Sequence, residues 1–541
     1  WKVLSDQQVE ISSGSEDNWR VDQDRLTSYN DGEFTPDKMW STQGGYVRGF
    51  DDSFDSNQFE LSADLLQNLD PVFLWSLEAA RQAKAEVTTK FSAARSGVVL
   101  GNLSYPTRAQ SQFAEEVWLK EMFGSGSIET SSENRFMSGL PAMIVARGLG
   151  FEGSTMALDA ACASGLYAVK TACDQLQDGS RDLMLAGGVN AADPLFIHMG
   201  FCALNALSKT GNSRPFHQDA DGLIPSEGAA FVALKRLSDA RADNDHIYGV
   251  IRGIGLSNDG RSGGFLSPSS DGQIQCMSSA YEMCDLAPDD VQFVECHATG
   301  TVAGDGAELT SLNKIFSKND DLALGSLKAN LGHLVTASGV AGLLKVLLSI
   351  EKGVIPGTPN STPSIKAVSD SGFRVPADSE PWQPDVPRLA AVNSFGFGGN
   401  NAHLLVQEHD DKVNAETDAG NKPDPSFAIV NLGVRTGLDA DTSAFSLRVC
   451  GADGGSSPAE DKIHLTAKSL AFPPADLKET LGQQLVLLHL LPELESGLAS
   501  TDSARTGIFI GMQTDNEVCR YGLRWRLPEL SQDYPAIDRL N

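Results

Sequence analysis

Cys162 lies in the run ALDAACASGLYAVK, Ala157 to Lys170, where an apolar β-like stretch turns into a helical pattern. Free cysteine is among the most buried residue types, so a filler is the plain explanation of a lone thiol. Its position argues for a nucleophile. Unpaired N–H groups and the positive end of the macrodipole at a helix N-terminus favour an anion, which predicts a thiol more acidic than the free value of roughly 8.5. Ala161, Ala163 and Gly165 leave space for a substrate, and the same strand-to-helix elbow serves nucleophiles in other α/β enzymes.

His297 and His333 are two of nine histidines, and both fall in Gly/Thr-rich turns after apolar strands rather than on helix faces. Two neutral imidazoles donating to one carbonyl would stabilise a developing oxyanion, as thioester chemistry at Cys162 requires. Lys328 could pair with Glu308 and fix the local field; a surface ion pair is its plainer explanation. Zinc binding by Cys296 and His297 is disfavoured, because adjacent strand residues point to opposite faces and no second ligand pair lies nearby. GFGGNN lacks the GxGxxG spacing of a dinucleotide loop and follows the wrong strand.

The elements that must position these groups read as α/β from about residue 93 to 408. STMALDA is β-like; SGLYAVKTACDQLQDG follows with Leu166, Val169, Cys173 and Leu176 on one helix face, and Asp178-Gly179 stops the helix. DLMLAGGVN supplies the next strand. VQFVECHATGT and LALGSLKANLGH are strands emptying into loops, TASGVAGLLKVLLSIEKG is a helix closed by Gly353, and LAAVNSFGFGGNNAHLLVQE is strand, glycine turn, strand. Candidate reactive loops therefore gather at strand ends, where open α/β sheets place their ligands.

The 541 residues carry 42 Lys+Arg against 71 Asp+Glu, a net charge of −29, which argues against nucleic acid or anionic lipid as a partner. An acidic protein partner would need a locally basic patch. Eight cysteines without a CxxC pair, no signal-peptide core and no apolar run of membrane-spanning length predict a cytoplasmic protein with no membrane span. After Glu408 the polar, acidic run HDDKVNAETDAGNKPDPS reads as a linker, 409–425. Beyond it SARTGIFIGMQT echoes AARSGVVLGNLS: Arg505, Gly507 and Gly511 correspond to Arg95, Gly97 and Gly101 at an offset of 410. The preceding LKETLGQQLVLLHLL corresponds loosely to LLQNLDPVFLWSLEAA. Residues 426–541 thus read as the start of a second copy of the 1–408 domain.

DAACASG, SRPFHQDADGLIPSEGAAFVALKR, VECHATGTVAGDGAE, GSLKANLGHLVTASGVAGLLK and NSFGFGGNNAH, in this order, resemble the signature blocks of β-ketoacyl synthases, the condensing enzymes of fatty acid and polyketide assembly. The wording DAACASGLYAVK and the second copy look closest to polyunsaturated fatty acid synthases, where a ketosynthase is followed by a ketosynthase-like chain-length-factor domain; iterative polyketide synthases are similar. The resemblance implies a thiolase-like fold, layered αβαβα, with two pseudo-duplicated halves. The family's IAIVGM-like first strand has no match ahead of Trp1. Ala298, Gly306 and Asn400 stand where the family commonly has Gly, Pro and Thr.

The resemblance also implies residue roles. Cys162 takes an acyl chain from an acyl carrier protein, with the oxyanion held by the N–H groups of Cys162 and Phe397. His297 and His333 grip a malonyl thioester as it loses carbon dioxide, and Lys328 and Glu308 complete the catalytic set. Thr299 and Thr301 hold the phosphopantetheine arm, and Phe397 gates between the two steps. No metal or cofactor is expected on this chain, since phosphopantetheine belongs to the carrier. Partners would be acyl carrier protein, acyl and malonyl thioesters, and a second ketosynthase unit, either as a homodimer or as a pseudo-dimer with the chain-length-factor copy. A non-condensing acyltransferase or decarboxylase of the same fold, and a non-catalytic chain-length scaffold, are the alternatives.

Overall fold

A computed structural model of the chain describes residues 1–410 apart from 29–36, 86, 88–90, 125–130 and 261–266, and thereafter residues 431, 465, 477, 480–495, 506–512, 514 and 517–530. The chain divides into two compact units, one comprising Trp1–Gly420 with Asn516–Asn541 and the other Asn421–Asp515.

The first unit is built on two sheets. One takes its strands from β1 (Ser96–Asn102), β2 (Thr155–Leu158), β3 (Leu183–Asn190) and β4 (Gly228–Leu234), ordered β2-β1-β3-β4. The other takes β5 (Val250–Asn258), β6 (Phe293–Glu295), β7 (Ala323–Gly325), β8 (Leu389–Phe395) and β9 (Asn400–Gln407), ordered β5-β9-β8-β6-β7. The first three strands of the four-stranded sheet run parallel and β4 pairs antiparallel to β3. In the other sheet β6, β7 and β8 run parallel and β9 turns back antiparallel on β8. The two halves therefore repeat one topology, and β5 is an additional strand of the second, paired antiparallel with β9.

Helix α1 (Pro71–Ala85) packs on the four-stranded sheet; the next, α2 (Arg108–Phe123), follows β1. Between the sheets run α3 (Ser164–Gln177) and its counterpart α7 (Ser338–Lys352), while α5 (Ser270–Glu282) and α6 (Val302–Ile315) cover the five-stranded sheet; α4 (Pro194–Ala203) follows β3. The layering is αβαβα. The expected helix stops are both present: Gly179 has φ 76° just after α3, and Gly353, at φ 63°, is the left-handed C-cap of α7. Leu166, Val169 and Leu176 are buried on the predicted face of α3.

The two central helices meet at glycines. A Cβ on Gly165 would lie 2.8 Å from Val340 Cγ2 and 2.9 Å from the Thr336 carbonyl, and one on Gly339 would lie 2.8 Å from Leu166 Cγ. The contacts are reciprocal, Gly165 with Val340 and Leu166 with Gly339, so the backbones cross as closely as side-chain-free positions allow. Because both helices start at this crossing, the loops that precede them open into the same space.

In the second unit, α8 (Gly482–Glu495) occupies the helical echo read from the sequence. Of the echoed strand, Arg505 lies outside the described residues, and residues 506–512 form no strand. Ile508 and Phe509 are 74% and 98% exposed, whereas Val98 and Val99, their counterparts in β1, are wholly buried. Most of the linker read at 409–425 also lies outside the described residues. The last described helix, α9 (Glu517–Leu530), belongs to the first unit and packs on α2.

Candidate active site

β2 ends at Leu158 and α3 begins at Ser164, leaving a tight elbow between them. Ala161 takes φ 50° in it, a left-handed conformation a non-glycine residue adopts rarely and at some cost. The Ser164 hydroxyl holds the turn, accepting from Ala160 N at 2.8 Å and donating to Ala161 O at 2.6 Å. Ser394 Oγ donates to the Cys162 carbonyl at 2.7 Å, tying the elbow to β8. On the other side, a Cβ on Gly396 would lie 2.6 Å from Ala160 O and 3.2 Å from Cys162 N. Only glycine lets the 396–399 turn approach the elbow that closely.

The three groups singled out in the sequence converge. Cys162 Sγ is 3.0 Å from His333 Nε2, and the His297 and His333 rings stand 5.4 Å apart at 80°. One ligand-type atom from each of Cys162, His297 and His333 lies within 4.8 Å of the others. The backbone N–H groups of Phe397 and Cys162 both favour negative charge on the sulfur, as the two donors expected of an oxyanion hole would. Neither Nδ1 of the two histidines has a hydrogen-bond partner.

The thiol does not behave as its place before a helix predicts. Burial pushes it up to about 11, outweighing the N–H of Phe397 and the positive charge of Lys328, which lower it. Cys162 is only 1% exposed, and Ala163, not Cys162, is the N-cap of α3. Desolvation therefore dominates over the macrodipole. The imidazoles follow the same logic in the opposite sense. Burial first, then the neighbouring Lys328 charge, hold His297 and His333 well below the ordinary histidine range, so both are neutral near pH 7.

Lys328 and Glu308 sit behind this pair. Glu308 accepts from His297 N at 2.8 Å, Ala298 N at 2.7 Å and Asn393 Nδ2 at 2.8 Å, which fixes the backbone that carries the histidine. Lys328 Nζ donates to Cys296 O at 3.4 Å. Burial lowers the lysine and raises the carboxyl, and each opposes the other's shift. Cys296 itself turns away into a separate apolar cluster with Phe216 and Val294, which removes it from any shared metal site with His297.

Thr299 and Thr301 follow on the same loop, their hydroxyls 3.1 Å apart. Asp305, which the sequence did not single out, accepts from Thr299 N, Gly300 N and Phe216 N at 2.9–3.1 Å and so holds this loop in place; burial pushes it up to about 7. Its three-residue spacing before Glu308 on one helix face was the available signal. A second unanticipated residue is Phe201 on α4, whose ring lies 5.7 Å from Phe397 and 6.5 Å from His333. Phe397 is partly buried, and Gly398 and Gly399 beside it take φ 87° and 84°.

Family profiles described as the N-terminal and C-terminal domains of β-ketoacyl synthase match residues 1–240 and 248–362, and one described as the ketoacyl-synthetase C-terminal extension matches 359–440. An oxazolomycin ketosynthase domain from Streptomyces albus JA3453 superposes with a TM-score of 0.68 at 30% identity, over 76% of this chain and 72% of that one. The chain belongs to the β-ketoacyl synthase family. Among solved structures a PfaC ketosynthase–chain length factor gives a TM-score of 0.77 at 37% identity, covering 83% of this chain and 50% of its own. Curated relatives include a polyunsaturated fatty acid synthase polypeptide of a Thraustochytrium species, 31% identical over 84% of this chain and 25% of that protein. A phenolphthiocerol/phthiocerol polyketide synthase polypeptide of Mycobacterium tuberculosis is 32% identical over 86% of this chain and 25% of that protein. The chain spans about a quarter of the length of these curated relatives. The fold read from the sequence, thiolase-like with duplicated halves, is that of this ketosynthase family. Among the described residues no helix is long and apolar enough to cross a membrane.

Proposed function

We propose that this ketosynthase carries out decarboxylative Claisen condensation of a malonyl thioester with an acyl chain held on Cys162, in polyunsaturated fatty acid or polyketide assembly. The observation that carries the proposal is the convergence of Cys162, His297 and His333 within 4.8 Å. In the first half-reaction the sulfur attacks the acyl carbonyl carbon. The N–H groups of Cys162 and Phe397 hold the oxyanion, and the thiol proton leaves with the carrier's pantetheine thiol. In the second, the malonyl thioester carbonyl accepts from the neutral imidazoles of His297 and His333. Loss of carbon dioxide leaves enolate charge at that oxygen, and the carbanion displaces Cys162 from the acyl group to give a 3-oxoacyl thioester. Neutral rings suit this role, because each offers one N–H without adding a buried charge.

Thr299 and Thr301 are assigned to the phosphopantetheine arm and Phe397 to the gate, resting on its contact with Phe201 and the two left-handed glycines beside it. The carrier protein supplies the arm, so the chain needs no cofactor of its own. Residues 409–425 are assigned as a linker and 426–541 as the start of a chain-length-factor copy, in a cytoplasmic synthase. The packing of α9 on α2 supports a pseudo-dimer, since the two helices correspond at the offset of 410 that relates Arg505 to Arg95.

Intact mass of the chain after exposure to an acyl carrier thioester, followed by peptide mapping, tests the assignment. Cys162→Ala should remove the adduct, and unchanged labelling would identify another nucleophile. His333→Ala should retain acylation better than condensation; equal loss of both would contradict the division of labour.

A further inference from the structure

Three buried charges and a fourth that is partly exposed meet where α9 joins the synthase body. Arg526 is 1% exposed, and its Nη2 donates to both carboxylate oxygens of Asp193 at 2.9 and 2.8 Å and to Trp19 O at 3.2 Å; Nη1 reaches Glu115 at 3.1 Å. Asp193 and Glu115 are 0% and 3% exposed, and Arg20 pairs with Glu115 from the other side. Two guanidiniums thus balance two carboxylates, one of the guanidiniums reaching in from a partly exposed position.

Asp193 has a second task. It is the N-cap of α4, accepting from Leu195 N at 3.1 Å, and α4 is the helix that sets Phe201 against His333 and Phe397. The same face of α9 presses on α4 directly. Tyr521 lies 5.8 Å from Phe196 ring to ring, and a Cβ on Gly522 would lie 3.1 Å from that ring. One apolar cluster runs unbroken from Cys162 through Leu195 and Phe201 to Tyr521 and Trp525.

We propose that Arg526 is a positioning residue for the Cys162 site, its guanidinium fork bridging Asp193 and Glu115 and so fixing the N-terminus of α4 and thereby the stance of Phe201 beside His333 and Phe397. The proposal rests on Cys162 being the acylated nucleophile only for its kinetic part. Without the guanidinium, Asp193 and Glu115 share Arg20 alone, and α4 starts from a buried, under-compensated carboxylate. Asp193→Asn leaves a side-chain oxygen for the cap while removing the excess charge.

Three variants of the full chain test it: Arg526→Met, Arg526→Lys, and Arg526→Met with Asp193→Asn. Backbone hydrogen exchange of the 194–203 segment should rise in Arg526→Met and return toward the parent in the double variant. With hexanoyl-N-acetylcysteamine as the acyl donor, the saturating rate of Cys162 acylation should fall about ten- to a hundredfold in Arg526→Met with little change in KM. The double variant should recover most of that rate, and Arg526→Lys, which keeps the charge but not the fork, should fall between. Parent-like exchange in Arg526→Met, or a double variant no better than the single, overturns the proposal. Should Arg526→Met not fold, Arg526→Lys against the double variant decides by the same two readouts. A parent chain that is never acylated at Cys162 but shows the exchange pattern overturns the proposed nucleophile and leaves the positioning role standing.

Discussion

A neutral thiol 3.0 Å from a neutral imidazole holds its proton until substrate arrives. Because burial places the resting thiol at about 11, the rate of Cys162 alkylation by iodoacetamide should climb about tenfold per pH unit from 7 to 10. A plateau near pH 8 would show a thiolate already formed at rest. The change of period between Thr155 and Leu176 placed this cysteine at a strand-to-helix junction, where the structure has it, but the acidic thiol expected there is opposed by burial. Periodicity reveals that a helix begins after Cys162; it does not reveal that the walls of the pocket exclude water from the sulfur. Phe201 escaped for a related reason, because its role comes from Phe397 and His333, far along the chain, whereas Asp305 left a local trace in its spacing to Glu308 and gains only its contact with Phe216, 89 residues away, from the fold.

The elements themselves were legible because their signals are local. Gly179 and Gly353 stop α3 and α7 where the sequence placed the stops, and the run LAAVNSFGFGGNNAHLLVQE forms the paired β8 and β9, Leu389 opposite Gln407 and Phe395 opposite Asn401. What local signals lack is the crossing of α3 with α7. Gly165→Ala should cost about 1–3 kcal/mol through overpacking against Val340 and the Thr336 carbonyl, outweighing the ~1 kcal/mol that alanine gains in helix propensity. Gly200→Ala in α4, where a Cβ meets nothing within 4 Å, is the control and should be neutral or slightly stabilising; denaturant unfolding reads both.

A second test at this scale concerns the interior pair Lys345 and Glu295. They lie 2.7 Å apart at 1% and 2% exposure, held by charge rather than by well-angled hydrogen bonds, while Glu295 Oε1 accepts from Leu327 N at 2.6 Å. Lys345→Met should destabilise by about 3–5 kcal/mol, because the stranded carboxylate remains buried. A loss below about 1 kcal/mol in thermal or denaturant unfolding would mean that Glu295 finds water or a proton at little cost.

For the molecule as a whole, the buried histidines couple stability to acidity. His403 pairs across β8 and β9 with Asn393, donating toward its Oδ1 at 2.6 Å under the rings of Tyr281 and Phe316, and burial lowers it from 6.5 to about 3. Its folded value lies below its unfolded one, so its contribution is complete above pH 6.5 and declines as pH falls toward 3. Over that window the unfolded chain takes up one proton that the folded chain refuses, about 1.4 kcal/mol per pH unit. His403→Asn should therefore flatten the dependence of unfolding free energy on pH by that slope between about 6 and 4. An unchanged slope would show that the imidazole is protonated in the folded state.

The glycine crossing has a practical meaning for anyone redesigning this synthase. The nucleophile and the His333 imidazole hang from two rods clasped at one point, so a bulkier residue introduced there to enlarge the substrate range would jar both halves of the reaction at once.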